Sequence, residues 1–87
     1  MTVYVYHEYC DNDAFGEMIT KVFLEQEDAR DYLKKRVSAY WGVRFDEVET
    51  LVDPETDTFS EDYIMMYDGN DSHYWQIDER DVLINWG

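Results

Sequence analysis

The apolar stretch TVYVYHEYC (Thr2–Cys10) is rich in β-branched and aromatic side chains, which predicts a strand whose successive residues point to opposite faces. Val3, Val5, His7 and Tyr9 fall on one face, and Tyr4, Tyr6, Glu8 and Cys10 on the other. Apolar content on both faces predicts an inner strand. DNDAFG (Asp11–Gly16) has the composition of a turn, and a second strand over Glu17–Leu24 completes an antiparallel hairpin. The period then changes. Ala29, Leu33, Val37 and Tyr40 recur at helical spacing, broadened by Tyr32 and Trp41, and Gly42 supplies a C-terminal stop. Acids open this helix (Glu27, Asp28, Asp31) and bases follow (Lys34, Lys35, Arg36), which complements the helix dipole.

Beyond Gly42 the pattern is shorter and more polar. Asp46–Glu49 reads as one helical turn, and Pro54 marks a loop. Tyr63–Tyr67 and His73–Ile77 read as strands around the turn DGNDS, a second hairpin. Val82–Trp86 is apolar and fits either an edge strand, able to pair with a second copy, or a turn of helix. The sum is one α+β domain over residues 1–87: a small antiparallel sheet of ββαββ type, two hairpins, with one amphipathic helix on one face. The other face is expected to carry tyrosine and acidic side chains.

Charge changes this picture most. The chain holds 21 acidic and 7 basic residues, a net charge of −14. A magnitude of about 2–8 suffices to keep a small domain soluble. The excess costs stability through self-repulsion, repels nucleic acid and anionic membrane, and favours a basic partner. It is also unevenly placed. Residues 1–25 carry −4, residues 26–45 carry +2, and residues 46–81 carry −12. Within DEVETLVDPETDTFSED (Asp46–Asp62), 8 of 17 residues are acidic and none is basic. Val48, Leu51, Val52 and Phe59 are the apolar residues that would pin this segment to the core. If Asp53, Glu55 and Asp57 are extended, they point the same way about 6.6 Å apart, two strand rises. A duplex presents a phosphate every ~3.4 Å of axis on each strand, so such a row approaches phosphate spacing. A solvated loop is the simpler account of the spacing alone.

Aromatic content of 17% excludes a disordered acidic tail. Cys10 is the single cysteine, so no intrachain disulfide forms, which suits a reducing cytoplasm. No basic-then-apolar leader and no membrane-length apolar run is present, and a cytoplasmic protein is expected.

No cofactor or enzyme signature emerges. Asp68, Asn70, Ser72, Gln76 and Glu79 fit positions of a calcium loop, but His73 stands where glycine is needed and the flanks read as strands. His7 and Cys10 fall on opposite faces of a strand, and no second thiol exists for a structural zinc site. The chain has no glycine-rich phosphate loop and no Ser–His–Asp signature. Tyr4, Tyr6, Tyr9, Tyr63, Tyr67, Tyr74, Trp75 and Trp86 resemble a base-stacking platform, but the acidic charge denies it the electrostatic attraction that single-strand binding requires.

The acidic runs DEVETLVDPETDTFSED and DERD, beside the aromatic strands VYVYHEY and HYWQI, make a small, cysteine-poor, motif-free domain. In type it resembles the anti-CRISPR proteins of phages and other DNA-mimicking inhibitors. Those inhibitors share no common fold, so the resemblance transfers no residue roles by alignment. It implies a stoichiometric blocker, acting in the host cytoplasm, that occupies the DNA- or PAM-binding groove of a basic nuclease. The near-neutral helix with its Lys34–Arg36 cluster departs from a uniformly acidic mimic and implies one face unused for mimicry.

The expected function is therefore inhibition of a basic nucleic-acid-binding protein, a CRISPR effector among the candidates, by a monomer or homodimer. Direct binding of nucleic acid or membrane is not expected. Asp53, Glu55, Asp57, Glu61, Asp62, Asp68 and Asp71 would stand in for phosphates, with Tyr63 or Tyr67 as an anchor. An immunity- or antitoxin-like module for another basic protein is the alternative, and a calcium-binding domain a more distant one.

Overall fold

A computed structural model describes residues 1–11, 18–68 and 71–82. The turn expected at Asp11–Gly16, the centre of DGNDS and most of the tail Val82–Trp86 lie outside the described residues. Among the described residues, five strands and two helices follow one another: β1 (Thr2–Asp11), β2 (Met18–Phe23), α1 (Gln26–Trp41), α2 (Phe45–Val48) with a 3-10 turn (Glu49–Leu51), β3 (Thr58–Phe59), β4 (Tyr63–Asp68) and β5 (Asp71–Asp81). The strands form one antiparallel sheet in the order β2-β1-β5-β4-β3. The class is α+β, with the two expected hairpins, β1–β2 and β4–β5, and a third, short one, β3–β4. The ββαββ reading is extended by the two-residue β3 and by α2.

Alternation along β1 sorts its residues as expected, and β1 is an inner strand between β2 and β5. Tyr6 joins Ile64, Met66, Trp75 and Ile77 beneath Ala29, Leu33 and Val37 of α1. Burying each large apolar side chain contributes about 1.5–3 kcal/mol, so this layer supplies most of the driving force. Gly42 ends α1 in the left-handed region (φ 69°), and its N–H donates to the Ser38 carbonyl. Any other residue there would strain the backbone, which is why the helix stops where it does. Tyr40, expected in the core stripe, lies at the helix edge and packs its ring on His73 and Trp75.

The acidic segment is pinned by α2. Val48 is fully buried, and Val52 and Phe59 pack against the core, with the Phe45 and Phe59 rings 5.6 Å apart. Leu51 does not share this role: it is 47% exposed at the end of the 3-10 turn.

Candidate functional site

The row of extended carboxylates over residues 53–57 does not form. Pro54 and Asp53 close a turn instead. The Asp53 carbonyl accepts the N–H groups of Thr56 and Asp57, and Asp53 Oδ1 accepts the Glu55 N–H at 2.9 Å. Asp57 clasps the turn from the other end. Its Oδ2 accepts the Asp53 N–H at 2.9 Å, and its Oδ1 accepts the Tyr67 N–H of β4 at 3.0 Å. Asp and Asn favour such local bonds to backbone N–H groups, which outcompete the extended conformation. The second of these bonds also caps an edge-strand amide that β3 is too short to pair.

Arginine divides the remaining acids into two groups. Arg30 on α1 grips Asp62 through two bonds (Nε to Oδ1 2.8 Å, Nη2 to Oδ2 3.1 Å) and lies 3.2 Å from Glu61. The hydrogen bond to Asp62 holds the Arg30 guanidinium above its ordinary pKa. Arg44 lies against Asp46 and Glu47, and His7 and Arg80 lie against Asp78. No Lys, Arg or His lies within 4 Å of Glu49, Asp53, Glu55, Asp57 or Asp71 among the described residues. These five keep their charge unneutralised. Of the residues expected to form the site, Glu61 and Asp62 are drawn to the start of α1, away from the Asp53–Asp57 turn. Asp68 and Asp71 are register partners at the end of the β4–β5 ladder.

The second sheet face carries no helix. Its rows follow from the register: His7, Gln76 and Tyr63; then Tyr9, Tyr74 and Met65; then Ser72 and Tyr67. Tyr9 and Tyr74 stack at 4.4 Å with ring planes 12° apart. Tyr9 is 37% and Tyr67 48% exposed, while Tyr63 is half-buried. The expectation that this face mixes tyrosines with acids needs correction. Among the side chains described there, Asp78 is the one acid, and it is paired; Asp57 lies at the sheet's edge, where it accepts the Tyr67 N–H. Tyr9 and Tyr74 stand out in sequence only as two of the eight aromatic residues weighed as a stacking platform, not as a pair. Their pairing depends on β1 meeting β5, strands about 60 residues apart in the chain, and no local pattern announces that.

On the helix face, Glu8 is 8% exposed and held by the Arg36 fork (Nε to Oε1 2.9 Å, Nη2 to Oε2 2.8 Å) and by the Tyr6 hydroxyl. Burial alone would raise the Glu8 pKa; the Arg36 and Tyr6 bonds outweigh it and leave it below the usual carboxylate range. Burial, with the Glu8 bond next, pushes the Tyr6 phenol well above its ordinary value.

Of the calcium-loop positions weighed in the sequence, Ser72, Gln76 and Glu79 lie along β5, with Ser72 and Gln76 on one face and Glu79 on the other, so these three do not converge on one ion; Asp68 ends β4 and Asn70 lies outside the described residues. Among the described residues no three His, Cys, Asp or Glu side chains are grouped to hold a metal. No helix among them is long and apolar enough to cross a membrane. No family model matches the chain, and neither a curated protein nor a solved structure matches it.

Proposed function

We propose that this protein is a stoichiometric inhibitor that binds a basic nucleic-acid-handling protein, anti-CRISPR-like in type, and acts by occupying a groove meant for nucleic acid. The observation that carries this reading is the turn over residues 49–57. Its carboxylates have no cationic partner among the described residues, yet hydrogen bonds and the buried Val48 hold the turn in place. A fixed, unneutralised acid cluster supplies both the field that attracts a basic partner and the geometry to meet it. Acids serving only solubility need neither anchoring nor separation from the arginines.

Two modifications of the sequence-based site follow. Glu49 joins it, and Asp62 serves as an internal counter-charge to Arg30. The binding contribution then comes from Glu49, Asp53, Glu55, Asp57 and Asp71, with Tyr67 beside Asp57 as the anchor.

The test is displacement of a labelled DNA duplex from a CRISPR effector nuclease and, in parallel, from a basic host DNA-binding protein. We expect displacement at stoichiometric protein, weakening steeply as salt rises. The triple variant Glu49→Gln, Glu55→Gln, Asp71→Asn leaves the turn's hydrogen bonds intact and is expected to lose affinity about tenfold or more, about 1.4 kcal/mol. Unchanged displacement by the variant would remove the acidic turn from the interface. Failure to displace DNA from either target, with recovery of a partner unrelated to nucleic acids, would favour an immunity-like module instead.

A further inference from the structure

The sheet face opposite the helices presents tyrosines where a solvent-facing sheet usually presents charged and small polar side chains. Tyr9 and Tyr74 form a stacked pair on adjacent strands, and Tyr67 lies two residues further along β4 than Met65, diagonal to Tyr74. Met65 sits directly opposite Tyr74 and completes an apolar patch. The patch is continuous with the acidic turn, because the Tyr67 backbone is bonded to Asp57 Oδ1. A segment crossing the sheet from Tyr9 to Tyr67 therefore arrives at carboxylates that have no cationic partner among the described residues.

From this juxtaposition we infer that the tyrosine face docks an extended, arginine-bearing segment of the partner, with guanidinium groups stacked on Tyr9, Tyr74 and Tyr67 and the leading arginine reaching the Asp53–Asp57 turn. The inference rests on the proposed function and names the chemistry of the partner at that surface. Charge complementarity selects the occupant: a chain of net charge −14 repels a second copy of itself and repels nucleic acid.

Arginine is favoured over lysine for two reasons. Its planar, weakly hydrated guanidinium stacks on aromatic faces and bonds carboxylates through two parallel N–H groups. The chain's own ion pairs show the same preference. Arg30, Arg36, Arg44 and Arg80 all contact carboxylates within 4 Å, whereas among the described residues no lysine contacts a carboxylate, and Lys21 and Lys34 lie near the Tyr32 and Phe45 rings.

Titration of the full chain with a fluorescently labelled peptide of alternating arginine and glycine, against its lysine counterpart, tests this. We expect the arginine peptide to bind about tenfold more tightly, a factor within the range of a few stacked guanidinium groups. Tyr9→Leu with Tyr67→Leu keeps the surface apolar and changes exposed positions only, so the fold is expected to survive, checked by circular dichroism. This pair of changes should bring the ratio close to one. Equal affinity for the two peptides, or an arginine preference that persists in the leucine variant, would overturn the inference. So would tighter binding of single-stranded oligothymidine, or self-association at the concentrations used. If the peptide fails to bind while the protein still displaces DNA from its target, the docking inference falls and the proposed function stands. Peptide binding without displacement would instead separate the docking surface from that function.

Discussion

Glu8 and Asp57 carry the same functional group, and each accepts hydrogen bonds on both oxygens, yet their donors differ in charge. Glu8 lies under α1 and is held by a guanidinium and a phenol. Asp57 lies at the sheet's edge and is held by backbone amides of Asp53 and Tyr67. A carboxylate out of water needs an opposite charge, because desolvation costs several kcal/mol. One near the surface can be positioned by neutral donors, since water still solvates its charge. The first arrangement consumes charge to make a core. The second fixes a charge in space without cancelling it, which is what an electrostatic binding surface requires.

The largest expected effect comes from Arg36→Met. It strands the Glu8 carboxylate beneath the helix, and we expect a loss of about 2–3 kcal/mol in denaturant unfolding. That figure is discounted from the ~3–5 kcal/mol typical of breaking a fully buried pair, because the Arg36 side chain is 37% exposed. The same network shapes the acid limb of stability. The folded pKa of Glu8 lies below its unfolded value, near about 4.3. Its contribution is therefore present above that pH and fades as pH falls through the folded value. Glu8→Gln should flatten this part of the stability profile; an unchanged profile below about pH 4 would place the acid sensitivity elsewhere.

Asp57→Ala comes next. Losing the bonds to Asp53 and Tyr67 should cost about 1–2 kcal/mol, comparable to losing a helix cap. Hydrogen exchange at the Tyr67 amide should quicken, and if it does not, another group caps that edge. Should Asp57→Ala prove as costly as Arg36→Met, the contrast between the two carboxylates would fail. The smallest effect on stability belongs to the Glu49, Glu55 and Asp71 triple variant, within about 0.5 kcal/mol, although its expected effect on binding is the largest of the set.

Much of the fold was legible locally. The strands over Thr2–Cys10, Tyr63–Tyr67 and His73–Ile77 and the helix beginning near Glu27 follow from residues only a few positions apart, and the structure places strands and a helix there. Gly42 was legible because one residue type suits its backbone. The candidate site was legible as a charge excess and not as a geometry. Asp53 and Asp57 alternate with Glu55 in a way compatible with a strand, and only the bond from Tyr67, 10 residues on, shows the turn clasped to the sheet. Glu8 gave no sign of burial, because its partner Arg36 lies 28 residues away.

The sequence by itself determined the period of each element, the faces of its strands, the helix stop and the concentration of negative charge in residues 46–81. Each depends on side chains within a turn or two of one another, or on composition alone. Tertiary structure decided the order β2-β1-β5-β4-β3, which lays the Tyr9 of one terminal strand on the Tyr74 of the other. It also decided which acids arginine neutralises and which remain free. Those outcomes depend on distances between residues far apart in the chain, and such distances are set by the joint packing of the whole core.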